Sequence, residues 1–290
     1  MSGPELRSID PGDPAFPGRL RGREPGVERL WVAGADPHAL GPMIAVVGAR
    51  RATAYGLDVA RGLAADLAAM GFCIASGMAL GIDRAAHEGA LAVGGATLAV
   101  LASGADRPTP SSNKALYERI LHAGGSIVSE YPPGTDSHAH HFPARNRIIA
   151  WLSLGTLVVQ GRSKSGARIT AGHADVVFAV PGDIRSPLSE LPHELLADGA
   201  RLCAGAGDVV GEFGPQLGWL KPDANSRPVP PLPPEQRALV DALAGGPASL
   251  DALVARTGMQ IGAASIALTS LEVAGVVVRA PGGRLQLARS

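Results

Sequence analysis

Apolar residues along this chain fall into two rhythms. From Met43 to about Val210, short apolar runs recur between glycines: MIAVVG (43–48), FCIASG (72–77), ATLAVLASG (96–104), SIVSEY (126–131), GTLVVQG (155–161) and VFAVPG (177–182), with RLCAG (201–205) as a seventh. Near-continuous runs of this length predict strands buried on both faces. Between them the spacing turns helical, predicting helices over 57–70, 83–94, 113–124, 145–153, 166–175 and 192–198. In the first of these Leu57, Ala60, Leu63, Ala64 and Leu67 share one face. Strand and helix alternating at this pitch predict an α/β domain, with a mainly parallel sheet covered by helices on both faces and right-handed crossovers.

The flanks read differently. Residues 1–42 are rich in Pro and Gly and form a lead-in expected to pack on the main domain, with Leu30, Trp31 and Val32 as a short strand. The main domain is then 43–210. Proline density marks 211–234 as an extended linker. Residues 235–290 form a second unit near the smallest size that folds alone. EQRALVDALA is its first helix, Ser249 caps SLDALVARTG, a third helix runs from about Ile261 to Ala274, and VVVRAPGGRLQLA gives two strands joined at Pro281-Gly282-Gly283. Three helices and a hairpin predict a small winged helix-turn-helix.

Composition narrows the chemistry. The apolar fraction is 46%, enough for a core, while aromatics are only 4%, so packing relies on close backbone approach. The formal net charge is zero, which excludes a global basic field and confines any polyanion site to a local patch. Cys73 and Cys203 lack metal-ligand spacing and read as buried thiols of a reducing compartment. With no signal peptide or spanning apolar run, a soluble cytoplasmic protein is expected, with no membrane partner.

Ligands of such sheets bind beyond the carboxyl ends of the strands. Those ends carry Gly48, Arg50 and Arg51; Gly77, Gly81 and Asp83; Phe142, Arg145, Asn146 and Arg147; and Lys164, Ser165, Gly166 and Arg168. The strand–glycine–helix turn at Gly48 aims backbone amides at one point, which suits an anion, and arginine grips phosphate bidentately. An ordinary turn with solvated arginines gives the same pattern, so this turn alone leaves both readings open. The whole set points to a basic groove in which Tyr55, Tyr131 or Phe142 stack on bases, as single-strand binders use. Asp83 reads as a helix cap, and His87 as buried and hydrogen-bonded. His138, His140 and His141 crowd one loop without a matching Cys or acidic motif, so no metal is expected. Ser76, Ser103 and Ser165 lack a base and the nucleophile-elbow pattern. No catalytic constellation and no cofactor motif emerges.

The runs VVGARRATAYG, ASGMALGIDRAAHEGAL, SEYPPGT, FPARNRIIAWLS and SGARITAGHA resemble the DNA-processing protein A (DprA/Smf) family over about residues 10–210, with a further likeness in the winged helix. The resemblance implies an extended Rossmann-like domain that binds single-stranded DNA, forms homodimers, loads the recombinase RecA in natural transformation, and has no enzymatic activity. It places the phosphate-binding turn on Gly48, Ala49 and Arg50, and a second glycine turn on Gly77, Gly81 and Asp83. Phe142, Arg145, Asn146 and Arg147 match one DNA-contacting segment, with Phe142 as the stacking ring; Ser165, Gly166 and Thr170 match another. Several positions depart from the family pattern. Ala49 replaces a hydroxyl residue, Gln160 stands for a common Glu, a Tyr is missing near Pro108-Thr109-Pro110, Glu190-Leu191-Pro192 replaces a Gly-Cys-Asn segment, and a helical N-terminal domain is expected to be absent.

Two other classes compete. A nucleoside-monophosphate-processing hydrolase of related fold carries a Pro-Gly-Gly-x-Gly-Thr phosphate loop, which Pro181-Gly182-Asp183-Ile184 does not fit. A transcription regulator needs cations or amides on its recognition helix, but the helix 261–274 contains neither Lys nor Arg. Gln260, Ser265, Thr269 and Ser270 are its polar positions, with Arg279 and Arg284 on the wing, so a protein-contact or accessory role is expected of this unit.

Overall fold

The computed structural model describes residues 5–217, 233–243, 248–273, 276–279 and 285–287. It divides into two units, with the boundary at Ala224 and Asn225. The first is built on a nine-stranded sheet. In chain order its strands are β1 (Leu6–Ile9), β2 (Leu30–Gly34), β3 (Met43–Val47), β4 (Cys73–Ser76), β5 (Thr97–Val100), β6 (Ser126–Ser129), β7 (Gly155–Val158), β8 (Val177–Ala179) and β9 (Arg201–Leu202). Across the sheet they lie in the order β1-β2-β6-β5-β4-β3-β7-β8-β9. From β6 to β9 all neighbours are parallel. The connecting helices are α1 (Ala54–Ala69), α2 (Ile82–Ala92), α3 (Lys114–His122), α4 (His141–Leu152), α5 (Gly166–Gly172), α6 (Glu190–Ala197) and α7 (Ala206–Leu217).

The alternation along β3 sorts the core into two layers. Ile44 and Val46 pack with α1, α2 and α7, whereas Met43, Ala45 and Val47 pack with α4, α5 and the lead-in. All five are buried because both faces are covered. The chain leaves β3 in one direction, through β4, β5 and β6, then returns to its other side with β7. The topological switch point therefore lies between β3 and β7, and their carboxyl ends open the crevice where such sheets take ligands.

The lead-in does more than pack on the domain. β2 pairs antiparallel with β6, and β1 pairs antiparallel with β2, so residues before 43 complete one edge of the sheet. Phe16, Leu20 and Val27 also enter the core. The expected domain end at 210 falls inside α7. Val209 and Phe213, one turn apart, are buried, and the Phe213 ring meets Phe178 edge-on at 6.0 Å, which places the start of the proposed linker inside the fold. Residues 218–232 of that linker lie outside the described residues. Helix α4 begins at His141 rather than 145, because Pro143 falls in its first turn, where a missing N–H costs nothing.

The second unit contains α8 (Pro234–Leu243), α9 (Leu250–Thr257), α10 (Ile261–Val273) and the antiparallel pair β10 (Val277–Arg279) and β11 (Leu285–Leu287). The Ser249 hydroxyl accepts from the Ala252 amide at the start of α9, and Gly258 ends that helix in the left-handed region, φ 68°. Leu239, Leu253, Leu268, Leu271 and Leu285 share its core. Ile261 and Ile266 on α10 remain exposed. Arg284 and the turn at 281–283 lie outside the described residues.

Candidate functional site

The turn after β3 is held by a second turn packed on it. The Ala49 amide donates to Gln160 O at 2.7 Å, and the Ala49 carbonyl accepts from the Ile82 amide at 3.2 Å. A Cβ on Gly48 would stand 2.6 Å from Gln160 O and 2.7 Å from Ile82 Cγ1. Gly81, at φ +80°, is more constrained: a Cβ there would meet Ala49 O at 2.2 Å. Close backbone approach thus requires glycine at both positions.

Beside these turns, at the switch point, lies a pocket of about 280 Å³. Gly48, Ala49 and Arg50 line it from β3, Phe142, Arg145 and Asn146 from α4, and Ser165, Gly166 and Thr170 from the start of α5, with Asp83 below. Spacing explains the α4 set. Residues 142, 145 and 146 are separated by three and four positions and share one helix face. Arg50 is exposed and places its guanidinium 4.8 Å from the centre of the Phe142 ring, within cation–π range. A cation and an aromatic face therefore stand together at the rim. Ser165 Oγ is buried without a hydrogen-bond partner among the described residues. Asn146 fixes the wall: its Oδ1 accepts from Arg145 Nε at 3.2 Å and its Nδ2 donates to Gly166 O at 3.0 Å.

Arg145 serves the fold as well as the pocket. It is only 4% exposed. Its Nη1 donates to Gly77 O at 2.7 Å and to Val100 O, tying the loop after β4 to the end of β5. The guanidinium occupies the space a Cβ on Gly77 would need, at 2.5 Å. Burial lowers its pKa to about 10, opposed by the Asp83 carboxylate. Burial likewise raises the Asp83 pKa, and Arg145 together with the Ala79 and Gly77 amides holds it down. Asp83 is structural but does not cap α2. Its Oδ2 accepts from the amides of Gly77 and Ala79, at 3.2 and 3.4 Å, both upstream of the helix.

The remaining candidates fall elsewhere. Arg147, two positions from Arg145, points away from the pocket, because a two-residue step crosses to another side of a helix. It pairs with Glu130 at 2.6 Å and lies 5.1 Å from the Trp151 ring. Arg168 pairs with Glu194 at 3.0 Å. Lys164 is exposed beyond the lining residues, and Arg51 faces a neighbouring groove. Two amides at the start of α1 are taken up from within: Thr53 Oγ1 accepts from the Gly56 amide, and Gln160 Oε1 accepts from the Thr53 amide. Gln160, noted in the sequence only as a departure, is the missed residue. Its signal was a polar side chain just beyond a buried strand.

Ser76 Oγ donates to Val46 O and Ser103 Oγ to Arg107 O, which commits both hydroxyls. His87 is buried, and its Nδ1 donates to Thr97 Oγ1 at 2.7 Å, since the Thr97 hydroxyl itself donates to Ile74 O. Its other nitrogen has no partner among the described residues, and burial, with Arg145, lowers its pKa to about 3. His141 stacks on Tyr131 at 3.9 Å and donates from Nδ1 to Ala102 O. Among the described residues no group of three His, Cys, Asp or Glu is placed to hold a metal, and no helix is long and apolar enough to cross a membrane. The Pro181-Gly182-Asp183 turn lies outside the pocket lining, with Asp183 paired to Arg185.

A nine-stranded, mostly parallel sheet with helices, with a crevice at its switch point and a winged-helix unit later in the chain, defines a Rossmann-like protein with a C-terminal winged domain. The chain belongs to the DNA recombination-mediator protein A family, whose model matches residues 7–214, and a DprA winged helix domain model matches 223–283. Among its relatives, a putative DNA processing protein DprA of Mycobacterium tuberculosis is 42% identical over 240 residues, covering 80% of this chain and 61% of that protein. Protein Smf of Escherichia coli is 36% identical over 273 residues, covering 90% and 72%. The solved DprA of Streptococcus pneumoniae superposes with a TM-score of 0.68 at 36% identity, covering 72% and 75%. DNA processing protein A of Helicobacter pylori, whose structure concerns its single-stranded DNA binding mode, superposes with a TM-score of 0.63 at 25% identity, covering 73% and 97%.

Proposed function

We propose that this chain binds single-stranded DNA at the switch-point pocket and acts there as a non-enzymatic recombination mediator. In this reading it protects the strand and loads RecA on it, working in the cytoplasm as a homodimer. The observation that carries the reading is the pairing of Arg50 with Phe142 at the pocket rim. Arg50 supplies a cation for a backbone phosphate and Phe142 a face for a base, the two contacts a sequence-tolerant binder needs. The wall offers neutral donors and acceptors in Asn146, Ser165 and the glycine backbones. Arg145 contributes by holding the loops in place and adds positive potential from below. RecA and the second copy enter as partners through the family. The winged unit is assigned an accessory role, since the described face of α10 presents Ile261, Ile266, Ser265 and Thr269 rather than cations.

Anisotropy of a labelled oligo-dT and of a matched duplex, read across a salt series, tests the reading. The single strand should bind preferentially and with salt sensitivity. Arg50→Ala should flatten the salt slope by about 0.7, the value for one single-strand phosphate contact. Phe142→Ala should cost about 1–3 kcal/mol of binding. Equal affinity of both folded variants and the parent for oligo-dT would refute the site. Preference for the duplex would transfer the function to the winged unit.

A further inference from the structure

A second groove, of about 370 Å³, opens on the other flank of the Gly48–Arg51 turn, between α1 and α2. These helices approach closely: a Cβ on Gly89 would stand 2.2 Å from Arg61 O, and Ala60, Ala64, Ala86 and Ala90 are buried around the contact. The approach gathers charge that is dispersed in the sequence. Arg61 comes from α1 and Arg84 from α2, while Arg50 and Arg51 come from the turn. Both helix arginines converge on one carboxylate. Arg84 Nε lies 2.7 Å and Arg61 Nη2 3.3 Å from the Glu88 oxygens. The two arginine side chains keep 46% and 47% of their surface exposed, while Glu88 keeps only 20%. An anion therefore already sits between two guanidiniums at the floor of an open cleft. Leu57 and Leu80 supply apolar surface, and Leu80 is 43% exposed.

Arg50 lines both this groove and the switch-point pocket, so the two cavities share a wall. We infer that the α1/α2 groove is a second phosphate-binding track, which takes the phosphodiesters of a single strand continuing past Arg50 and in which Glu88 holds Arg61 and Arg84 in register until the strand displaces it. The inference rests on the single-strand reading of the pocket. Four arginines against one carboxylate give the track its sign, and guanidiniums freed from Glu88 keep their fork geometry for phosphate oxygens. Leu80 offers a surface for a sugar or base between phosphates.

Two oligo-dT strands, of about six and about sixteen nucleotides, separate the track from the pocket within known single-strand site sizes. The Arg61→Gln, Arg84→Gln double variant should bind the longer strand several-fold more weakly, with its salt slope flattened by about 1.4 for two lost phosphate contacts, and should bind the shorter strand as the parent does. Glu88→Gln should act in the opposite direction, tightening the longer strand several-fold. Arg61 and Arg84 are exposed at the groove, and Gln keeps the shape of the more covered Glu88, so folding is retained. Unchanged affinity and slope for the longer strand in the double variant, equal losses on both strands, or weaker binding by Glu88→Gln would each overturn the track and leave the pocket standing. A parent chain that binds neither strand would refute the single-strand reading, and the track with it.

Discussion

Arg145→Ala should be a stability variant before it is a binding variant. The guanidinium is buried between the loop after β4 and the end of β5, and its loss strips Gly77 O and Val100 O of a donor while leaving Asp83, 6% exposed, as a buried charge with no nearby cation of equal weight. Removing one partner of a buried pair costs about 3–5 kcal/mol, a large share of the roughly 5–15 kcal/mol that holds most domains folded. Urea unfolding of the full chain, followed by far-ultraviolet circular dichroism, reads that loss as a lower midpoint at constant slope. Asp83→Asn keeps an acceptor for the Gly77 and Ala79 amides but removes the charge. Combined with Arg145→Ala it should recover at least about 1 kcal/mol relative to the single variant. The pH dependence has a definite sign. Asp83 has a folded pKa above its unfolded value, so its contribution is fully present below the ordinary carboxylate range and is lost as pH rises through the folded value. Without Arg145 that folded value climbs further, and the deficit of Arg145→Ala should shrink from neutral towards acid pH. A loss below about 1 kcal/mol at neutral pH, with single-strand binding abolished, would refute this account and show that the guanidinium serves the ligand rather than the fold.

Gly81→Ala should destabilise by more than Gly124→Ala. Both positions lie in the left-handed region, costing about 1–3 kcal/mol each, but only Gly81 has a carbonyl, Ala49 O, 2.2 Å from the added Cβ. Equal midpoints in urea would show that the two turns are not in contact. His87 should make the protein acid-sensitive. Its folded pKa of about 3 lies below the ordinary 6.5, so its stabilising contribution is present above pH 6.5 and is lost as pH falls towards 3, by up to about 1.4 kcal/mol per unit. His87→Gln should show a shallower decline over that range in the same unfolding assay; parallel declines would mean that the imidazole titrates freely.

The parallel strands and their helices were legible because both periods are unambiguous: short apolar runs closed by glycine, then apolar positions on a 3.6-residue repeat. The edge strand Leu6–Ile9 was not. Its four residues, Leu, Arg, Ser and Ile, do not alternate apolar with polar and are too few to separate from a loop, and its neighbour β2 pairs with a strand nearly a hundred residues away. At the site, Phe142, Arg145, Asn146 and Arg147 were grouped because they follow one strand end and match one segment of the family; that the first three share a helix face emerges only once α4 is seen to start at His141. Arg147 came with them through the same segment, although it lies two positions from Arg145 on another side of the helix and pairs with Glu130. The burial of Arg145 could not be read locally. It depends on the missing side chain of Gly77, 68 positions earlier in the chain. Tertiary accommodation of this kind leaves an arginine in a motif looking like any other arginine.

The position of β2 also sets an order of events during translation. Leu30–Gly34 emerges from the ribosome early, yet its partner in the sheet, β6, is Ser126–Ser129, and β1 has only β2 to hold it. The central strand β3 in turn gains its second neighbour only when Gly155–Val158 has been made. The β1–β2 pair must therefore wait with one edge of β2 open while the middle of the domain is still being polymerised, and the nascent chain exposes an unpaired strand edge through that interval. Slowing elongation before residue 126 should lengthen this exposure, whereas slowing it after 158 should not, so a segment made before the sheet's centre is placed after it.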